Sequence, residues 1–356
     1  MERTNVKSNI NGLFAIGVLA LFFSPSLLDA DTIDTTAGRG YRGKIGQMNA
    51  NSVTIKTSGG DQKVPAHTIT RITFDGEPNG LRSARRSLAE GQYNRVEEVL
   101  ENVKPANSIQ NVEKQFLIAM ASANLALRGE GGKTVSASRK LVESFVTNSD
   151  NNKWFQYFQA LETFGDLEVA SNNLAGAITQ YKKLDLSSSE EIKMLGQFKT
   201  GHVNVLLGKF ADAKGAFGNV QSNKADDPGS VRMKLLAKIG AARCDAEAGN
   251  AKPAIQTILD VIKKEDPGDM KLFGNAYNAL GHCYAKDGQN KAALLSFLHT
   301  DVLYQRDAEI HAEALFHLVK LWQADQKPGQ SLEARKILTT KYRNTFWGSK
   351  AQADRL

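Results

Sequence analysis

The distribution of apolar and polar positions divides the chain into three stretches. An uncharged apolar run, Leu13 to Phe23, comes first. From about residue 38 to 75 the chain is rich in Gly, Thr, Val and Ile. Here Val53 and Ile55 alternate with Thr54 and Lys56, the period of two of a half-buried strand. Asn49 to Asn51 and Gly59-Gly60-Asp61 read as turns, Val64, Ile69, Ile72 and Phe74 add apolar positions, and Pro65 marks an edge or a bulge. The spacing predicts about three to five short strands.

From Asn79 onward a different arrangement recurs. A small residue lies inside a helical segment, with Gly or another turn residue seven places later. An Ala follows at twelve places and a large apolar residue at sixteen. Gly281, Gly288, Ala293 and Phe297 form the clearest copy, and Gly201, Gly208, Ala213 and Phe217 repeat its spacing. Gly165, Asn172, Ala177 and Tyr181 follow, as do Ala242, Gly249, Ala254 and Ile258. Ala84, Gly91, Val96 and Leu100 make a looser copy. Two more read with a three-residue insertion in the turn: Ser122, Gly129, Ala137 and Leu141, then Val319, Ala334 and Leu338. Small residues let two antiparallel helices approach, the large residue fills the gap one turn along, and Gly supplies the left-handed conformation that ends the first helix. Seven such pairs are predicted to stack over residues 79–345, since no single pair buries its apolar face alone.

This spacing, with Leu280-Gly281, Tyr284, Ala293 and Phe297 carrying it best, resembles the tetratricopeptide repeat. The starts at 84, 122, 165, 201, 242, 281 and 319 differ by 38, 43, 36, 41, 39 and 38. The usual period is about 34, so the helices or loops here are longer. The resemblance implies a mainly α solenoid of about seven helical hairpins. Its concave groove, lined by the first helix of each pair, would bind a protein or peptide. Groove-facing positions are taken as three before and one after the small residue, which selects Phe198, His202, Asn278, His282, Phe316 and Lys320. Aromatics beside polar groups suit binding anchors, although Phe198 and Phe316 also suit a core. The Lys/Asn clamp of some family members is missing at matching positions, so its carboxylate ligand is not carried over. Residues 31–77 are similar to a small SH3-like or Sm-like barrel, a module too small to be very stable alone and expected to cap the first helices. Residues 346–356 read as a C-terminal tail. The whole layout resembles exported repeat proteins of bacterial envelopes.

Charge changes this picture little. The 45 basic and 38 acidic residues leave +7, spread diffusely. No run of Lys or Arg interleaves with aromatics, so nucleic acid is not an expected partner. The N-terminus changes it more. Arg3 and Lys7 precede the apolar run, Ser24-Pro25-Ser26 breaks it, and Ala30 offers a small residue before Asp31. Residues 1–30 therefore read as a cleaved export signal, giving a periplasmic or secreted protein. The run is shorter than the ~20 residues that span a bilayer, so membrane attachment is expected only if the signal is retained. Cys244 is the first cysteine, which excludes a lipoprotein anchor.

Candidate chemistry is sparse. Cys244 and Cys283 occupy equivalent repeat positions, where neighbouring helices lie about 8–10 Å apart. A disulfide needs Cα atoms within about 7 Å, so two separate buried thiols are expected. Among His67, His202, His282, His299, His311 and His317 there is no i, i+4 pair and no His-Glu-x-x-His, so no metal site is expected. No Walker loop, Rossmann fingerprint or Gly-x-Ser-x-Gly occurs. Glu130-Gly131-Gly132-Lys133 reads as an inter-helix turn, and Glu190-Glu191 as a helix start. The expected function is a non-catalytic binding scaffold without cofactor. The alternatives are a signal-anchored membrane assembly factor and an enzyme with no recognisable motif.

Overall fold

A computed structural model describes residues 30–355 of the chain. The apolar run read as an export signal lies outside the described residues. The first element is β1 (Asp31–Thr35), followed by β2 (Gly40–Asn49), β3 (Ser52–Thr57) and β4 (Gly60–Pro65). A 3-10 turn at Ala66–Thr68 leads into β5 (Ile69–Thr73). All pairings are antiparallel and the order is β4-β3-β2-β1-β5, a meander whose last strand returns to the first. Alternation starting near residue 38 left β1 unread. Its Ile33 is fully buried and stands opposite both Tyr41 and Ile72. Pro65 ends the edge strand β4, where a missing N–H is tolerated.

Seven helical hairpins follow. They are α1 (Asn79–Ala89) with α2 (Tyr93–Leu100), α3 (Ser108–Arg128) with α4 (Val135–Thr147), and α5 (Tyr157–Ala170) with α6 (Leu174–Lys182). Next come α7 (Glu190–Leu206) with α8 (Phe210–Ser222), and α9 (Pro228–Glu247) with α10 (Ala251–Lys264). The last two are α11 (Met270–Lys286) with α12 (Asn290–Leu303), and α13 (Ala308–Ala324) with α14 (Pro328–Thr340). The small-to-large spacing works sterically as the sequence implies. A Cβ at Gly165, Gly201 or Gly281 would fall 2.2, 2.7 or 2.6 Å from the ring of Tyr181, Phe217 or Phe297 respectively. Phe217 also meets Gly240 of α9, so one ring sits between the glycines of two successive hairpins.

Seven places after every small residue the backbone turns left-handed. Gly91, Gly129, Asn172, Gly208, Gly249, Gly288 and Gln326 all have φ between 57° and 94°. Gln326 completes a series that the sequence showed only in part. Two turn assignments need correction. Ser138 and Val142 are buried while Leu141 is 43% exposed, so the second hairpin carries four extra residues rather than three. Gly129 stands nine places before Ser138, against five from Gly208 to Ala213. Thr134 sets this register by accepting the Ala137 N–H at 3.2 Å as the cap of α4. The seventh hairpin has no insertion. Three residues separate α13 from α14, as they do α11 from α12, and Ser331 takes the small position, donating to the Val319 carbonyl at 3.1 Å.

Residues 346–356 are not a tail. Phe346–Ala353 form α15, capped by Thr345, whose hydroxyl accepts the Gly348 N–H at 3.0 Å. Phe346, Trp347 and Ala351 are buried in one apolar cluster with Val169, Leu174, Ala177 and Tyr181 of α5 and α6. Asn344 Nδ2 donates to the Ala126 carbonyl of α3 at 2.8 Å. The last hairpin thus returns to the second and third, and the superhelix closes on itself. At the other end the sheet shares its core with α1 to α5. Phe74 meets Trp154 at 6.4 Å, and Arg85 bridges the buried carboxylates of Glu77 and Glu113 at 2.8 and 2.5 Å.

Candidate functional site

The inner side of the superhelix carries an open cavity of about 340 Å³. Its wall comes mainly from the first helices of hairpins, namely α3, α5, α7, α11 and α13, with Tyr181 of α6 and Trp347 of α15 completing it. On one side Lys199 Nζ bonds Asp166 at 2.7 Å and Glu162 at 2.9 Å, and Tyr181 donates to Asp166 at 2.5 Å. Burial works against the Lys199 charge, but Asp166 and Glu162 outweigh it and hold its pKa above the usual lysine range. The mouth carries Lys271 and Arg306, and among the described residues neither forms an ion pair. Glu309, three residues after Arg306 in sequence, accepts one hydrogen bond, from the Phe346 N–H at 3.1 Å. Burial pushes its carboxyl up to about 8.

At the floor Glu313 is a hub. Its carboxylate accepts from Arg243 Nη1 at 2.7 Å, from His282 Nε2 at 3.1 Å and from Asn278 Nδ2 at 3.1 Å. Burial alone would favour the neutral acid, yet Arg243 and then His282 hold the carboxyl well below its usual range. His202, His282 and His317 are all depressed, chiefly by burial, so their imidazoles are neutral at pH 7. Three buried polar atoms of this cluster have no hydrogen-bond partner: His317 Nε2, Arg243 Nε and Asn278 Oδ1. Nitrogen and oxygen donors of His282, Glu313 and His317 lie within 4.8 Å of one another, the one set among the described residues able to hold a metal ion.

The six positions drawn from the repeat rule divide. Phe198 and His202 line the cavity. His282 joins the Glu313 hub beside it. Asn278 belongs to the same hub but is 1% exposed, donating also to the Ile310 carbonyl at 2.8 Å, so it holds α11 to α13 and does not face a partner. Phe316 is likewise 1% exposed, packed on Trp347 at 4.9 Å. Lys320 is exposed and stands over the Phe316 ring, away from the cavity. The rule fails at Phe316 because α15 covers the inner face of α13. Glu313, His317 and Arg243 escaped the sequence reading. One signal was present: Glu313 and His317 stand at i, i+4 on one helix face.

Cys244 and Cys283 are buried free thiols, and burial raises them to about 11 and about 12. No helix among the described residues is long and apolar enough to cross a membrane.

The fold is similar to that of a Rap protein complexed with competence and sporulation factor, at 13% identity and a TM-score of 0.51, covering 78% of each chain. It is also similar to a tetratricopeptide repeat protein from Parabacteroides merdae, at 15% identity and a TM-score of 0.51, covering 74% of this chain and 92% of that one. The chain therefore has a tetratricopeptide-like solenoid fold preceded by a five-stranded sheet. No protein-family model matches the chain, and no curated protein matches it.

Proposed function

We propose that this protein is a non-catalytic scaffold that takes a segment of a partner protein, or a peptide, into the open cavity on the inner side of its solenoid. The observation that carries this reading is the cavity itself. Its volume of about 340 Å³ falls within the roughly 300–1,000 Å³ of ligand-binding pockets. Its wall combines an aromatic, Phe198, with charges left open at the rim by Lys271 and Arg306 and with the underused carboxyl of Glu309. Such a surface offers an apolar anchor and several hydrogen-bonding points to one extended chain. The similar Rap protein is complexed with competence and sporulation factor, which supports a bound partner for this architecture.

We further propose that the protein acts after export, with residues 1–30 removed. The first strand starts at Asp31, so cleavage before that residue leaves every described element in place. N-terminal sequencing of the native protein decides between Asp31 and Met1, and Met1 would favour an anchored assembly factor instead.

Site-specific photocrosslinking tests the cavity. A photoreactive residue in place of Asn275, on the cavity wall, is expected to capture a discrete partner. The same residue in place of Lys291, exposed on α12, is expected to capture none. Capture from Lys291 alone would move the binding surface to the outer helices and overturn the reading.

A further inference from the structure

We infer that His282, Glu313 and His317 form a binding site for one borderline divalent transition-metal ion of the Zn2+ class. The donor set is two imidazole nitrogens and one carboxylate oxygen, brought within 4.8 Å of one another from α11 and α13. Ions of this class take mixed nitrogen and oxygen ligands at about 2.0–2.2 Å, and imidazole is the side chain they favour among neutral donors.

Two observations point to a ligand rather than to a polar cluster complete in itself. First, His317 Nε2 is buried with no hydrogen-bond partner, an arrangement that is costly if nothing meets it. Second, both rings are held in place by aromatic packing. His317 lies parallel to Phe297 at 4.9 Å and 13° and beside Trp347 at 5.4 Å, and His282 meets Phe297 edge-on at 5.4 Å. Asn278 Nδ2 fixes Glu313 Oε2, the kind of outer contact that orients a ligating carboxylate.

Arg243 opposes the ion. Its Nη1 bonds Glu313 Oε1 at 2.7 Å, so a metal must share that carboxylate with a guanidinium or displace it. Arg243 Nε has no partner, so part of that side chain is already unsatisfied. Arg243 therefore sets the affinity, and its removal strengthens binding. This site stands independently of the proposed partner binding, since neither requires the other.

Titration of the full-length chain with Co2+, followed by visible absorption, tests the inference. One equivalent is expected to produce ligand-field bands that Zn2+ then abolishes. His282→Phe and His317→Phe preserve the ring packing and are each expected to weaken binding roughly 100-fold or more. Arg243→Gln is expected to tighten it by at least about tenfold. Absence of bands at one equivalent, or bands indifferent to both Phe variants, would overturn the site. Should a Phe variant fail to fold, histidine NMR of the native chain decides. One equivalent of Zn2+ must shift the ring signals of His282 and His317 and spare the exposed His67 and His299, and unshifted His282 and His317 signals would sink the proposal.

Discussion

At the scale of single residues, the cavity wall sets charge against burial. Lys199 keeps its proton because Asp166 and Glu162 surround it, and Glu313 keeps its charge because Arg243 faces it. Glu309 has no such partner. Burial, reinforced by Asp307 and Asp166, carries its carboxyl from an ordinary 4.5 to about 8. The folded chain therefore holds that proton where the unfolded chain has lost it. Stability from this group is greatest below pH 4.5 and is lost as pH rises toward about 8. Thermal melts between pH 5 and 9 should show Glu309→Gln gaining on the native protein by on the order of a few °C at the alkaline end. A native-minus-variant difference that stays flat would assign the decline elsewhere, with Glu113, raised by burial to about 7, the next group to test. Phe198 and His202 were legible as inward-facing because the small residue beside them fixes the helix face. Asn278 and Phe316 share that spacing, but whether a face is open or covered depends on which distant element lands on it.

At the scale of elements, one local rule organises the solenoid. Each hairpin turns through a left-handed residue seven places after its small position, and five of the seven are glycines. Asn172 and Gln326 adopt the same conformation at φ 58° and 57° with a Cβ in place. Asn tolerates it, whereas Gln carries a cost of about 1–2 kcal/mol. Gln326→Gly is therefore expected to raise stability by about 1 kcal/mol in denaturant melts, while Gln323→Gly, within α13, should lower it by a similar amount. A destabilised Gln326→Gly would mean that its side chain contributes more than its backbone costs. The helix pairs were readable because small-to-large packing is local in sequence. The extra turn residues of the second hairpin were miscounted because Ala137 and Leu141 present the same letters as Ser138 and Val142 would require. Only the cap at Thr134 decides which pair faces inward.

At the scale of the whole molecule, the closure of the ring is the dominant feature. Phe346 and Trp347 join α15 to helices some 170 residues earlier, and Trp347 also lines the cavity. Trp347→Ala is expected to cost about 3–5 kcal/mol and to speed amide hydrogen exchange in α5 and α6 as well as in α13 to α15. Exchange that accelerates only in the last three helices would show that the two ends touch without supporting each other. The buried Glu77–Arg85–Glu113 bridge plays the matching part at the start of the chain, tying the sheet to α1 and α3.

The amino-acid sequence by itself determined the seven hairpins and the β-rich start, though not every turn between paired helices, because these rest on spacings of a few residues to a few dozen. It also placed His202 and His282 on the inner side of their helices. Tertiary structure alone decided that the last hairpin meets the third, that residues 346–353 are helix and not tail, and that Glu313 gathers Arg243, Asn278 and His282 around it. The contacts of Glu313 join residues 31 to 70 positions apart, and the geometry of these and of the closing contact follows from the accumulated rotation of seven stacked pairs, a sum that no local pattern carries.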